Sequence, residues 1–150
     1  MRGGPPAHAG GLTMDEMKVV IMGCGRMGAQ LATMLEADGH HVTILDVDKF
    51  AFDHLPPGFK GRKILGDGMD QDTLRRAGAE TADAFVAATR GDNRNALAAQ
   101  IARHVFQIKR VGSVIFDPIR EEIYRDLGLR TINPTKIEAQ LLRESIERED

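Results

Sequence analysis

Val19-Val20-Ile21-Met22-Gly23-Cys24-Gly25-Arg26-Met27-Gly28 decides the fold. An apolar, β-branched run enters G-x-G-x-x-G. An amphipathic run follows, with Met27, Leu31, Met34 and Leu35 at helical spacing. Each glycine has a physical task in a strand-to-helix turn. Gly23 allows the tight turn, Gly25 lets the backbone approach a pyrophosphate, and Gly28 lets helix and strand pack closely. The helix N-terminus offers unpaired N–H groups and the positive end of its dipole to phosphates. The glycines alone are a weak signal; their place between a strand and a helix is the context the motif requires.

Working outward, His41–Asp46 (HVTILD) reads as the next strand and ends on an acid eighteen residues past Gly28. The dinucleotide fingerprint expects a carboxylate roughly 20 residues on, accepting hydrogen bonds from ribose hydroxyls. Asp46 fits that role and would repel a 2′-phosphate, which favours NAD or an adenine nucleotide over NADP. Lys49 would offset part of that repulsion. Gly66-Asp67-Gly68 closes a third strand, where Asp67 reads either as an acceptor for an adenine amino group or as a plain turn acid. Ala88-Thr89-Arg90 closes a fourth. Thr89 is expected to donate to a phosphate, and Arg26 and Arg90 read as charge-assisted phosphate contacts or as ordinary surface charge. Cys24 lies near a helix N-terminus that would lower its pKa; a small filler is the simpler reading than a redox role.

The expected strands are Lys18–Met22, His41–Asp46, Arg62–Leu65, Ala84–Ala88, Arg110–Ile115 and Arg130–Ile132. Between them lie the expected helices 26–38, 50–55, 70–76, 93–106, 119–127 and 134–148. Asp70 is the expected cap of the third. The last has Ile137, Leu141, Leu142 and Ile146 on one face, to pack on its own sheet or on a partner. Strands alternating with helices predict a mainly parallel sheet covered on both sides. Six of them predict a Rossmann-like, doubly wound α/β fold. Residues 1–16, rich in Gly, Pro and Ala, read as a disordered leader, and 17–150 as one nucleotide-binding domain.

The bulk numbers bound the function. The 150 residues are 42% hydrophobic and 28% charged, with a formal net charge of −2. That balance is globular and argues against broad binding to nucleic acid. One cysteine forbids an internal disulfide. No apolar run approaches the roughly 20 residues that cross a bilayer, so the chain is not expected to be membrane-inserted. None of His8, His40, His41, His54 and His104 stands at metal-ligand spacing. Walker-A, G-x-S-x-G and H-E-x-x-H motifs are all absent. No substrate domain follows the nucleotide fold, and no acid–base residue has an evident partner. The expectation is therefore binding without catalysis. An NAD-dependent oxidoreductase, or its cofactor half, is the alternative, because a binding fold does not dictate chemistry.

Three separated stretches resemble one family. KVVIMGCGRMGAQLATMLEADGHHVTILDVD (residues 18–48) is similar to the start of the RCK, or KTN, domain, the TrkA-N module that regulates potassium uptake systems and channels. Arg26 within G-x-G-R-x-G is typical of it. The resemblance runs on through ILGDGMDQDTLRRAGAETADAFVAATRGDNRNALAAQIAR (64–103) and FDPIREEIYRDLGLRTINPTK (116–136). It implies a cytoplasmic regulatory subunit at the inner face of the membrane that binds NAD(H), ATP, ADP or AMP. Its implied partner is a membrane potassium transporter or channel subunit, and its implied assembly a homo-dimer or higher ring, with the last helix taking part. Gly23, Gly25, Arg26 and Gly28 match the phosphate loop, Asp46 the ribose acid, Asp67 the acid near adenine, and Thr89 and Asn95 the segment after the fourth strand. The expected cofactor-binding set is completed by Met27, Val47, Lys49, Gly68, Ala88 and Arg90. Many members carry a second, C-terminal ligand-binding domain, and none follows in these 150 residues.

Overall fold

The computed structural model describes residues 15–149. The leader reading therefore lies outside the described residues, apart from Asp15 and Glu16. Six parallel strands form one sheet in the order β3-β2-β1-β4-β5-β6. They are β1 (Lys18–Met22), β2 (His41–Asp46), β3 (Arg62–Leu65), β4 (Ala84–Ala87), β5 (Arg110–Val114) and β6 (Arg130–Ile132). The helices are α1 (Arg26–Ala37), α2 (Gln71–Arg76), α3 (Asp92–His104), α4 (Pro118–Asp126) and α5 (Pro134–Glu147). Lys49–His54 is a 3-10 helix rather than an α-helical turn.

The central strands read as unbroken apolar runs because both faces of a parallel sheet are covered. Alternate side chains of β1 enter two separate cores. Val19 and Ile21 meet Val42, Ile44, Ala29 and Ala32 on the α1 side. Val20 and Met22 meet Leu45, Leu74, Phe85, Ala96 and Ala99 on the α2 and α3 side. Burying one such branched side chain is worth about 1.5–3 kcal/mol.

Four of the six strands have the expected bounds; the ends that differ elsewhere do so by one or two residues, and local hydrogen bonds explain several of them. Asp70 caps α2 through Thr73 N–H, so the helix starts one residue later, at Gln71. Asp117 caps α4 through Ile119 N–H, which places Pro118 at the first helical position, where its missing N–H costs nothing. α3 starts at Asp92, whose buried carboxylate accepts the N–H groups of Phe116 (2.7 Å) and Asp117 (3.0 Å) after β5. α5 buries none of its side chains. The option of packing on its own sheet is thus not the one adopted. Leu141, Leu142 and Ile146 are 60%, 66% and 81% exposed.

The order places β1 between β2 and β4. After β3, at one edge, the chain returns to the other side of β1, and this reversal is the switch point of a doubly wound sheet. A crevice opens there, above the C-terminal ends of β1, β2 and β4.

Candidate nucleotide-binding cleft

The glycine loop leaves β1 with Gly23 at φ +108°, a conformation that L side chains rarely adopt. A Cβ there would stand 2.7 Å from the Ala88 carbonyl. At Gly28 a Cβ would overlap the Gly23 carbonyl, so the second turn of the loop closes only with hydrogen at that position. Gly25 differs: nothing lies within 4 Å of where its Cβ would be. That open space faces the start of α1. Gly25 is the N-cap, no side chain caps the helix, and no acid occupies its first turn. Gly23 and Gly28 are required by the fold, whereas Gly25 keeps room for something else.

Asp46 ties this loop to β2. Its Oδ2 accepts Cys24 N–H at 2.8 Å, and its Oδ1 accepts Asp48 N–H at 2.9 Å. Each oxygen keeps acceptor capacity for a ligand hydroxyl. His54 braces the loop from the other side. Its Nδ1 lies 3.0 Å from the Cys24 carbonyl and 2.9 Å from that of Ala51. Both partners are acceptors, so Nδ1 carries the proton.

Cys24 corrects the helix-terminus argument. It is fully buried, and its thiol is pushed up from 9.0 to about 11. Burial is the main cause, the Asp46 carboxylate adds to it, and Lys63 opposes it only in part. The filler reading is the one the geometry fits.

A cleft of about 270 Å³ opens beside the loop, lined by Met22, Gly23, Asp46, Val47, Gly66, Asp67, Gly68, Thr89 and Arg94. Gly68 is close-packed: a Cβ would overlap the Met22 sulfur. The volume is just below the usual range of small-molecule sites, and the cleft is continuous with the glycine loop at Gly23. A larger hollow of about 510 Å³ lies at the opposite, N-terminal end of the strands, lined by Lys18, His41 and Arg62 among others. It has no glycine loop and does not join the cleft.

The expected site residues separate into groups. Gly23, Asp46, Val47, Asp67, Gly68 and Thr89 line the cleft together. Gly25, Arg26, Met27 and Gly28 follow on the loop, with Arg26 and Met27 exposed. Ala88 is buried behind it, its N–H donating to the Met22 carbonyl at 2.8 Å. Arg90 is exposed and has no ion-pair partner among the described residues. Lys49 is not brought to Asp46; its ammonium stands 5.3 Å over the Phe50 ring. The Thr89 hydroxyl does not present its proton to the cleft: it donates to Asn95 Oδ1 at 2.6 Å and accepts Gly91 N–H at 3.1 Å. Asn95 is fully buried and clamps β4 to β5, its Nδ2 donating to the carbonyls of Thr89 (2.9 Å) and Val114 (2.8 Å).

Sequence reasoning missed Arg94. Its Nη2 reaches Asp67 Oδ1 at 3.2 Å, from the α3 wall to the β3 wall. A surface arginine near the start of an expected helix carries no local signal, and only the fold brings it opposite Asp67. No cluster of three metal-ligating side chains occurs among the described residues, and no described helix is long and apolar enough to cross a membrane.

A six-stranded parallel sheet with a glycine-rich turn and a strand-end acid at its switch point defines a Rossmann-like nucleotide-binding fold. The chain belongs to the TrkA-N domain family, whose sequence model matches residues 19–134. The Trk system potassium uptake protein TrkA of Streptomyces coelicolor is 48% identical over 128 residues, 85% of this chain and 57% of that protein. A Trk system potassium uptake protein TrkA homolog of Methanothermobacter thermautotrophicus is 35% identical over 133 residues, 88% of this chain and 61% of that protein. The chain thus spans about three fifths of these two relatives. Among solved structures, the AMP-bound Kef C-terminal domain of Shewanella denitrificans superposes with a TM-score of 0.69 at 26% identity, over 83% of this chain and 76% of that one. The TrkA-N domain of inner membrane protein ybaL from Escherichia coli gives 0.75 at 16% identity, over 87% and 98%. The GsuK channel bound to NAD gives 0.68 at 21% identity, over 84% and 23%.

Proposed function

We propose that this chain is the nucleotide-sensing part of a potassium transport system, a regulator rather than an enzyme. It would bind an adenosine nucleotide, NAD(H) or ATP, ADP or AMP, and report occupancy to a membrane potassium transporter or channel subunit from the cytoplasmic side. The observation that carries this reading is the link from Asp46 to the loop, with Oδ2 on Cys24 N–H. It sets the ribose acceptor and the phosphate loop as one rigid unit. The ligand set is Gly23, Gly25, Arg26, Met27 and Gly28 for phosphates, Asp46 and Val47 for the ribose, and Asp67 and Gly68 for the base, with Thr89 in the cleft wall beside the phosphate loop. The family and the potassium-uptake names of the two relatives support the transport role. Nucleotides bound in similar folds support the ligand class.

Sensing requires more than binding. A nucleotide shifts an equilibrium only by its difference in affinity for two states. The exposed face of α5, with Ile137, Leu141, Leu142 and Ile146, offers a surface for a second copy, and two arrangements of such a dimer would be the states. The test is to measure ADP and NADH affinity for the assembled protein and for Leu141→Ser/Leu142→Ser, designed to dissociate it. A several-fold difference supports coupling. Equal affinity in both forms would sink the switch while leaving the binding site intact.

A further inference from the structure

We propose that Arg94 is a positioning residue that sets base specificity, by fixing the Asp67 carboxylate to accept the 6-amino group of adenine. This rests on the nucleotide reading above. Asp67 Oδ1 has two anchors: Met69 N–H at 2.9 Å and Arg94 Nη2 at 3.2 Å. Together they hold the carboxylate in one rotamer. Oδ2 has no hydrogen bond among the described residues and is the oxygen left for a ligand in the cleft that Asp67 lines.

Charge and helix physics both point to the cleft as the reason for Arg94. The cleft lining contains two carboxylates, Asp46 and Asp67, and one cation, Arg94. Without it, a phosphate-bearing ligand would meet two uncompensated negative charges. A cation in the first turn of a helix opposes the helix dipole, so α3 itself gains nothing from arginine at its third residue. The guanidinium is planar and can hold one carboxylate oxygen while the other remains open.

The chemistry is selective. Adenine presents a 6-amino donor, which a carboxylate oxygen accepts. Hypoxanthine presents a 6-oxo acceptor at the same place, which that oxygen repels. A hydrogen bond to a charged group at this half-exposed position corresponds to a preference of about tenfold.

The experiment compares ADP with IDP, which share ribose and phosphates, in the wild type, Arg94→Ala and Arg94→Lys, with melting temperatures as a fold check. The wild type is expected to prefer ADP by about tenfold. Arg94→Ala is expected to bring the ratio near one. Arg94→Lys, which keeps the charge without the planar fork, is expected to recover part of the preference. An Arg94→Ala protein that keeps the wild-type ratio overturns the assignment, even if both affinities fall, and so does a wild type with no preference. A wild type that binds neither ADP nor IDP, nor NADH, overturns the nucleotide reading itself.

Discussion

Asp46 and Cys24 show how one contact sets two properties. The carboxylate accepts Cys24 N–H and thereby shapes the loop. The same negative charge, added to burial, holds the thiol neutral. Because the folded value lies above the ordinary 9.0, the neutral thiol is favoured in the fold. Its contribution to stability is complete below about pH 9 and fades as pH rises toward about 11. Alkylation by iodoacetamide at pH 7.5 is therefore expected to be slow in the folded protein and fast in urea. Rapid labelling without urea would contradict the buried loop. The sequence argument had the opposite sign because it counted the helix terminus and could not count burial. Arg94 was illegible for a related reason: its meaning lies in Asp67, which is distant in sequence and opposite only after folding. Gly23, Gly28 and Asp46 were legible because backbone geometry demands those residue types at that spacing.

At the scale of elements, α4, β6 and α5 are joined by a single buried acid. Glu121 of α4 accepts from Arg125 (2.9 Å), from Lys136 of α5 (3.3 Å) and from Thr131 of β6 (3.2 Å). Burial alone would raise its pKa, but these donors outweigh it and hold the carboxyl below the usual range. The unfolded chain then binds the proton more readily than the folded one. Stability from this group is present above its unfolded value, near 4.5, and is lost as pH falls through the folded value. Glu121→Gln should destabilise at pH 7 by roughly 1–3 kcal/mol, measured by urea unfolding, with the gap to wild type closing toward pH 3. A gap independent of pH would refute the charged role. The neighbouring α5 was read correctly as an amphipathic helix, yet periodicity cannot say whether an apolar face meets its own sheet or a partner. In the fold that face is bare. Leu141→Ser/Leu142→Ser is expected to leave the melting temperature nearly unchanged and to lower the sedimenting mass to that of a monomer. A large loss of stability with unchanged mass would place the helix against its own domain instead.

Across the whole molecule, the net charge of −2 conceals where charge matters. Arg26 on the loop and Arg90 after β4 are exposed, and Asp46, Asp67 and Arg94 line the cleft. The topology was legible because four buried central strands leave a plain pattern of apolar runs between helices, with two more exposed strands at the edges. Some ends were less so: Asp117 sets the start of α4 by capping, and the contacts of the Asp92 carboxylate anchor the start of α3. A ligand that binds only the folded chain stabilises it by about 2.7 kcal/mol at 100 times its Kd. For a domain of this size that raises the melting temperature by about 5–10 °C. NADH and ADP should produce such a shift when saturating, and NADPH a smaller one at equal concentration because Asp46 repels its 2′-phosphate. Equal shifts with NADH and NADPH would remove Asp46 from the ribose. The most direct test of the central claim is a calorimetric titration of wild type and Asp46→Ala with ADP. The account predicts saturable binding at one site per chain, weakened at least about tenfold in the variant, whereas no heat from either protein, or identical affinities, would contradict it.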